Sequence, residues 1–398
     1  MFKNIKIENF RCFESFELKQ LGRVNLLVGE NNSGKTSILE AIQLLCSRTN
    51  LEPLSEMMIH RGEYFWDDND KKSRELDIKH LFHERKIEPK TKLSISGMRQ
   101  DNNSEQLNLS IVRHPESLLK LINDFEGAVH TSSYNLPEST IKQIEILKNE
   151  FEKQVSFTID NEFFNNWEKL EFSVEWTYVN LSKERKILLS PNRCLDVDVV
   201  YHSSRDLKNQ FVTSSSLTTQ RMIELFDRVA LTNDEKLILE ALQTIEPDIE
   251  RIASVNPYVI RNSFESRSGF VVRLSDRNQR VPIGSMGDGV WRMLGLALAI
   301  VCAQDGVLFV DEIDTGLHFT AMSDMWKLVW ETAKRLNVQV FATTHNSDCW
   351  KSLASIAREV DAAEDGITIQ RVEKDKNIAV SFNQREIVIA AEREIEVR

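Results

Sequence analysis

Eight consecutive residues, Gly29-Glu30-Asn31-Asn32-Ser33-Gly34-Lys35-Thr36, have the types and spacing to hold a polyphosphate. In a G-x-x-x-x-G-K-T run the glycines let the backbone turn tightly, so that successive N–H groups point at one anion. The nucleotide-binding set read from it is Gly29, Asn31, Asn32, Ser33, Gly34, Lys35 and Thr36 with the adjoining Ser37. Lys35 would reach the outer phosphates, and Thr36 would place its hydroxyl on Mg²⁺. A second acidic group, Asp311-Glu312, closes the apolar run Val307-Leu308-Phe309-Val310. Asp311 would hold the metal's water shell, and Glu312 would orient and polarise an attacking water as general base. His345 ends the next apolar run, where a ring donor could reach the γ-phosphate. A glycine-rich turn, Ser285-Met286-Gly287-Asp288-Gly289, forms another cradle: Gly287 and Gly289 let N–H groups approach phosphate oxygens, and Ser285 adds a hydroxyl. One nucleotide needs one cradle. The second therefore faces ATP held by another copy, which predicts a head-to-tail homodimer around two nucleotides.

These groups need a scaffold that brings strand ends together. Residues alternate through Phe10 and again from Leu21 to Val28, which predicts two strands leading into the phosphate loop. A helix with Ile38, Ala41, Ile42 and Leu45 on one side follows and ends near Arg48. Its N-terminus adds roughly half a positive charge to the loop. Later the glycine turn opens an apolar helix, Val290 to Ala303, followed by the strand ending at Glu312, a helix from Met322 to Leu336 and a strand from Val338 to His345. A hairpin around Lys374–Asn377 and a charged terminal helix finish the chain. Alternating strands and helices with polar strand ends describe an α/β fold whose mostly parallel sheet carries its site at the carboxyl edge.

The stretch between changes character. Strand-like segments at Thr91–Met98, Gln106–Val112 and Leu170–Val179 mix with a helical one at Glu138–Gln154, without a sustained heptad run. The expected division is residues 1–85, an inserted α+β lobe at 86–192, and 193–398. A helical pair follows the lobe, its second member opened by a Thr232-x-x-Glu235 capping box. Pro247 and Pro257 mark breaks.

A chain of 398 residues that is 41% hydrophobic buries a large core, and its net charge of −11 argues against a surface coated in nucleic acid, so any DNA contact must be focal. Five scattered cysteines with no C-x-x-C pair indicate neither a zinc knuckle nor a disulfide framework and fit a reducing, cytoplasmic setting. The N-terminus reads as a strand and not as a signal peptide, and the apolar stretch from Met293 to Ala303 is too short to cross a membrane. Asp196-Val197-Asp198, which reads more simply as a solvated strand face, and the pair His80 and His83, which lacks a third ligand nearby, are weaker metal candidates.

Asn9-Phe10-Arg11, the loop with Asn31, the Ser285–Gly289 turn, the run Asp311-Glu312-Ile313-Asp314-Thr315-Gly316-Leu317-His318 and Thr343-Thr344-His345 follow one another in a telling order. Together they resemble the ABC-type ATPase heads of the OLD (overcoming lysogenization defect) and RecF/SMC-like group. The resemblance implies an ABC-type P-loop NTPase with an N-terminal antiparallel β-subdomain. It implies that Ser285, Gly287, Asp288 and Gly289 act in trans as the signature, that Leu317-His318 lies in the D-loop, that His345 is the switch histidine and that Arg11 lies near the nucleotide. The chain departs from the pattern in three ways. The signature lacks the usual leucine and glutamine; His318 replaces an aspartate, which implies slow or gated hydrolysis; and no glutamine announces a Q-loop. Complete OLD nucleases carry a TOPRIM domain after the ATPase, and the stretch after His345 is shorter than such a domain. The implied function is an ATP-hydrolysing switch, with ATP and Mg²⁺, whose dimer state controls a separate effector, a nuclease, in prokaryotic antiviral defence. A RecF-like DNA-binding clamp in repair is the alternative. A transporter subunit fits poorly without a Q-loop, and a non-catalytic scaffold fits poorly with Glu312 intact.

Overall fold

The apolar runs that end in Asp311-Glu312, in His345 and in the phosphate loop are neighbours in one sheet. The computed structural model describes residues 1–66, 74–114, 169–197, 208–255, 269–275, 279–360 and 366–397, and the elements given are those of these residues. The central sheet is six-stranded in the order β11 (Asn209–Val212), β15 (Val307–Val310), β16 (Gln339–Thr343), β3 (Val24–Val28), β17 (Ile367–Arg371) and β18 (Val380–Phe382). All pairings are parallel except that of the edge strand β18, which runs antiparallel to β17. The chain leaves β3, β15 and β16 at the same edge, so the phosphate loop, the acidic pair and His345 converge there.

Each inner strand is buried on both faces, which is why it reads as a continuous apolar run. Val24, Leu26 and Val28 face one core while Leu27 faces the other; Leu308, Val310, Val340 and Ala342 divide from Phe309 and Phe341 in the same way. Phe211, Phe309 and Phe341 stack across three adjacent strands at 6.0 Å between successive rings. On their side of the sheet, helix α1 (Lys35–Ser47) is buried beneath an antiparallel sheet in the order β2 (Phe13–Leu18), β1 (Phe2–Phe10), β6 (Lys92–Arg99), β7 (Ser104–Arg113), β8 (Leu170–Tyr178) and β9 (Leu181–Leu188). Helix α2 (Glu52–His60) and a three-stranded sheet, β10 (Leu195–Asp196), β5 (Arg74–Leu76) and β4 (Tyr64–Trp66), adjoin it. The opposite face carries α3 (Thr219–Val229), α4 (Glu235–Gln243), α5 (Asp288–Cys302), α6 (Met322–Arg335), α7 (Ser347–Glu359) and α8 (Gln384–Glu392). A second three-stranded sheet joins β12 (Ile249–Ser254), β13 (Phe270–Leu274) and β14 (Arg280–Pro282).

The structure corrects several expectations. Three strands, not two, precede the phosphate loop, because Phe10 turns back onto Phe13 to form β2. The described strands of the expected lobe do not stand apart: Ile7 of β1 pairs with Ile95 of β6, so β6, β7, β8 and β9 complete a sheet begun at the N-terminus. The helix expected at Glu138–Gln154 and the break at Pro257 lie outside the described residues. The capping box at Thr232 does not form. Thr232 donates to Val229 O, Asp234 occupies the N-cap, and Glu235 accepts instead from Leu231 N at 2.7 Å. Helix α7, capped by Asn346 through Asp348 N at 2.9 Å, follows His345 where the sequence reading placed no element.

Candidate nucleotide-binding site

The phosphate loop needs its glycines for different reasons. Gly29 stands at φ 146° against the carbonyl of Val372, and Gly34 at φ 96° packs on the ring of Phe13 with Cys12 Sγ only 2.8 Å from where a Cβ would sit. A side chain at either position meets both a strained backbone and occupied space. Asn32, at φ 60°, takes the one left-handed position that asparagine tolerates well. Helix α1 starts with Ile38 N donating to Gly34 O at 3.0 Å, leaving the N–H groups of its first turn to face an anion, while Ser33 N donates within the loop to Glu30 O at 3.3 Å. Ser33 and Ser37 are buried in the turn. Lys35 folds across its own loop, donating to Gly29 O at 2.9 Å and Glu30 O at 2.7 Å. Burial holds its pKa below the ordinary lysine value, against the opposing pull of Asp311 and Glu312.

The loop meets the acidic pair directly. Thr36 Oγ1 donates to Asp311 at 3.1 Å from Oδ1 and 3.2 Å from Oδ2. Thr343 donates to Asp311 Oδ1 at 2.7 Å and its hydroxyl accepts from Glu312 N at 2.8 Å. A single threonine thus fixes both acids from the neighbouring strand. Glu312 has φ 46°, a left-handed conformation that costs a non-glycine residue roughly 1–2 kcal/mol. Its carboxylate is 3.7 Å from His345 Nδ1 and accepts from Thr315 Oγ1 at 3.3 Å, and both Glu312 and His345 reach solvent at the sheet edge. Thr36 and Asp311 bring together a hydroxyl and a carboxylate, the hard oxygen donors that Mg²⁺ takes. Two oxygens about 3 Å apart also match neighbouring positions around an ion with ligands near 2.1 Å. The residues present fit the metal.

Sequence reasoning missed the clamp behind this edge. Arg292, buried in α5, donates through Nη2 to Asp311 O and Glu312 O at 2.9 Å each, and through Nη1 to Thr213 O and Ser214 O. The signal was present: Arg292 is the one charged residue between Val290 and Ala303. At the start of α5, Ser285, Gly287 and Asp288 are exposed, Ser285 Oγ donates to Pro282 O at 2.7 Å, and Gly287 at φ 94° has open space where a Cβ would stand. Gly316 and Gly289 pack against each other at the base of this turn, 3.4 Å separating the Gly316 carbonyl oxygen from a Cβ position on Gly289.

Arg11 is held in a buried ion cluster beside the phosphate-loop helix. Its guanidinium is buried beside Glu40 of α1, with Nε 2.8 Å from Oε2, and donates to both oxygens of Glu63 at 2.6 and 3.1 Å. Arg61 donates to the other Glu40 oxygen at 2.7 Å. Burial raises the Glu40 pKa and the two arginines oppose that rise. The cluster ties α1 to the β1–β2 turn and the end of α2; it is an anchor for the phosphate-loop helix. His318 bonds Thr320 Oγ1 at 2.9 Å through Nδ1. His80 pairs with Asp77 while His83 bonds Arg11 O, so the two do not share a ligand. Asp198 lies outside the described residues, and among those described no group of three or more histidine, cysteine or acidic side chains is arranged for a metal.

The family model described as the AAA ATPase domain matches residues 1–349. The chain belongs to that family of ATPases. Over 97% of its length this ATPase is 21% identical to an "ATP/GTP phosphatase" of Helicobacter pylori, of which 99% is covered. The DNA replication and repair protein RecF of Francisella tularensis subsp. novicida is 25% identical across 43% of this chain and 44% of its own. Among solved structures, an SMC head bound to the C-terminal winged-helix domain of ScpA aligns over 96% of this chain and 97% of its own, at 14% identity and a TM-score of 0.45. The SMC head domain from Thermotoga maritima aligns over 96% and 98% at 10% identity and a TM-score of 0.39. No helix among the described residues of the ATPase is long and apolar enough to cross a membrane.

Proposed function

We propose that this ATPase closes as a homodimer around two molecules of ATP, hydrolyses them to ADP and phosphate with Mg²⁺, and passes its dimer state to a separate effector. The observation that carries this reading is the meeting of Thr36 and Asp311 at 3.1 Å, with Glu312 next in the chain and held by Thr343. The backbone N–H groups of residues 29–37 and the Lys35 ammonium bind the phosphates. Thr36 and Asp311 hold the metal, which supplies charge neutralisation at the β- and γ-phosphates when bound. Glu312 takes a proton from water, the water oxygen bonds to the γ-phosphorus, and the bond to the ADP oxygen breaks. His345, beside Glu312, donates toward the γ-phosphate.

The exposed Ser285–Gly289 turn supports the dimer, because its open Gly287 offers backbone N–H groups to a phosphate brought by a second copy. The resemblance to OLD-type heads supports a nuclease as effector and an antiviral setting; the RecF match supports the alternative of a DNA-binding clamp. Glu312→Gln tests the core of the proposal. It keeps the shape of the side chain but not its basicity, so phosphate release is expected to slow by about a hundredfold or more. ATP affinity stays, and the variant accumulates as a nucleotide-bound dimer in light scattering. Unchanged turnover, or a monomer with ATP bound, overturns the reading.

A further inference from the structure

His345 stands between two anchored neighbours. Thr344, before it, donates to Asp314 Oδ1 at 2.7 Å and accepts from Asn346 N at 3.0 Å. Asn346, after it, caps α7, whose first turn carries Ser347 and Trp350. One residue thus joins the histidine to a helix that close packing makes move as a unit, so a shift of α7 along its axis drags the backbone of His345 with it. Where the imidazole stands depends on what stops α7 from sliding.

The segment from Gln384 to Val397 holds α7 at both ends. At the start of α8, the Gln384 side-chain amide donates to the carbonyls of Ala357 and Val360 at 2.8 Å each, where α7 ends with acceptors that lack helical partners. Past the end of α8, Glu394 takes φ 53°, and Glu394 N and Ile395 N donate to Ala391 O and Ala390 O at 3.3 and 2.8 Å. This is a Schellman turn, and it leads the chain to the start of α7. There the Glu396 carboxylate spans the first turn: Oε2 accepts from Ser347 Oγ at 3.1 Å, and Oε1 from Trp350 Nε1 at 3.0 Å. Ser347 and Trp350 are three residues apart on one face, within reach of a single carboxylate, and the negative charge favours the helix N-terminus. Val397 and Trp350 are fully buried in the same core, which seats the segment against the helix. The 13 residues of α7 set the two clasps about 20 Å apart, so the helix cannot slide or tilt without loosening one of them.

We propose that Glu396 is a positioning residue for ATP hydrolysis, holding α7 where His345 meets the γ-phosphate. This role rests on the reading of His345 as γ-phosphate donor, and Glu396 acts through the helix and not on the nucleotide. A clasp that served stability alone would shift the melt and leave turnover as it was.

The test is phosphate release by the full chain with Mg²⁺ over a range of ATP concentrations, each variant assayed below its melting temperature. Glu396→Ala is expected to lower kcat by about tenfold and leave KM within about twofold, since the misplaced contact is one made in the transition state. Glu396→Gln keeps an acceptor for Trp350 Nε1 and is expected to restore wild-type kcat. Ser347→Ala breaks one of the two bonds without burdening the core, and the same split is expected at about threefold. In a His345→Ala background, Glu396→Ala is expected to lower kcat no further. Wild-type kcat in both Glu396→Ala and Ser347→Ala, with His345→Ala slow, overturns the positioning role and leaves His345 in the mechanism. A full further loss in the His345→Ala background also overturns it, because Glu396 then acts by another route. Wild-type kcat in His345→Ala removes the histidine from the mechanism and the role of Glu396 with it.

Discussion

Replacing Arg292 by methionine asks how firmly the catalytic edge is held from behind. The side chain is 4% exposed and forks between two segments, bonding four carbonyls at residues 213, 214, 311 and 312. A hydrogen bond to a charged group is worth about 1.5–3 kcal/mol, so four at the lower figure come to about 6 kcal/mol. Burial works against them. It is the main cause that lowers the guanidinium pKa from 12.5 to about 10, the nearby acids Asp311, Asp314 and Glu312 pulling the other way. At about 1.4 kcal/mol per unit this shift is a penalty of about 3 kcal/mol. Methionine removes gain and penalty alike, leaving a net destabilisation of about 3 kcal/mol. For a chain of 398 residues, with a melting entropy near 2 cal/mol/K per residue, that is a fall in Tm of about 4 °C. Catalysis should suffer more than stability. Without the bond to its carbonyl, Glu312 can relax from φ 46°, its carboxylate moves off the attacking water, and kcat drops by about tenfold or more. Lysine at the same position keeps the charge but cannot fork to both segments, so it should fall between. Circular dichroism melts and phosphate release at saturating ATP measure the two effects. A melt within about 1 °C of wild type with unchanged kcat would refute the clamp.

Gly34→Ala puts a Cβ against Phe13 and Cys12 at a positive φ, and calorimetry should register loss of ATP binding; retained affinity would show that the loop adapts. Arg11→Gln breaks a buried ion cluster and is expected to cost about 3–5 kcal/mol of stability in denaturant titrations while leaving nucleotide affinity within about twofold; a change in affinity alone would return Arg11 to the nucleotide. Asp311→Asn should raise the Mg²⁺ concentration needed for half-maximal turnover by about tenfold or more, with nucleotide binding in chelator unchanged, and an unaltered Mg²⁺ titration would count against Asp311 as a metal-holding residue.

What was legible in the sequence was local. The phosphate loop, the acids after Val310 and the histidine after Thr344 each combine an apolar strand with a polar ending, and the parallel sheet follows from their alternation with helices. Strand β2 was hidden because it repeats the alternation of β1 across a turn, Arg11-Cys12, that contains neither glycine nor proline; Arg11 itself takes φ 52°. The antiparallel sheet was not legible as one sheet because pairing of β1 with β6 spans nearly a hundred residues that carry no joint pattern. Helix α7 did leave signals, an Asn346 cap and buried Trp350, Leu353, Ala354 and Ala357 at helical spacing, beside a histidine that drew the reading elsewhere. The partners of Arg11 were hidden for another reason. A motif gives its position along the chain, but Glu40 and Glu63, which decide where the guanidinium goes, lie 29 and 52 residues away.

The clamp also explains why a turn facing outward bears on a carboxylate at the sheet edge. Asp288 and Arg292 stand one turn apart on the same face of α5. The first begins the helix at the exposed glycine turn and packs by Gly316; the second bonds the carbonyl of Glu312, four residues before that glycine. A buried helix moves as a rod, since close packing leaves its core little room to deform. In the proposed dimer, a phosphate drawn onto the Ser285–Gly289 turn of one copy therefore acts on Glu312 of that same copy through α5, linking the two ATP sites without any contact between them. Arg292→Met cuts this link at its Glu312 end while leaving the Ser285–Gly289 turn in place. It is expected to abolish cooperativity in ATP turnover and to leave the affinity of a single site unchanged; a Hill coefficient equal to that of the wild type would show that the two sites communicate by another route.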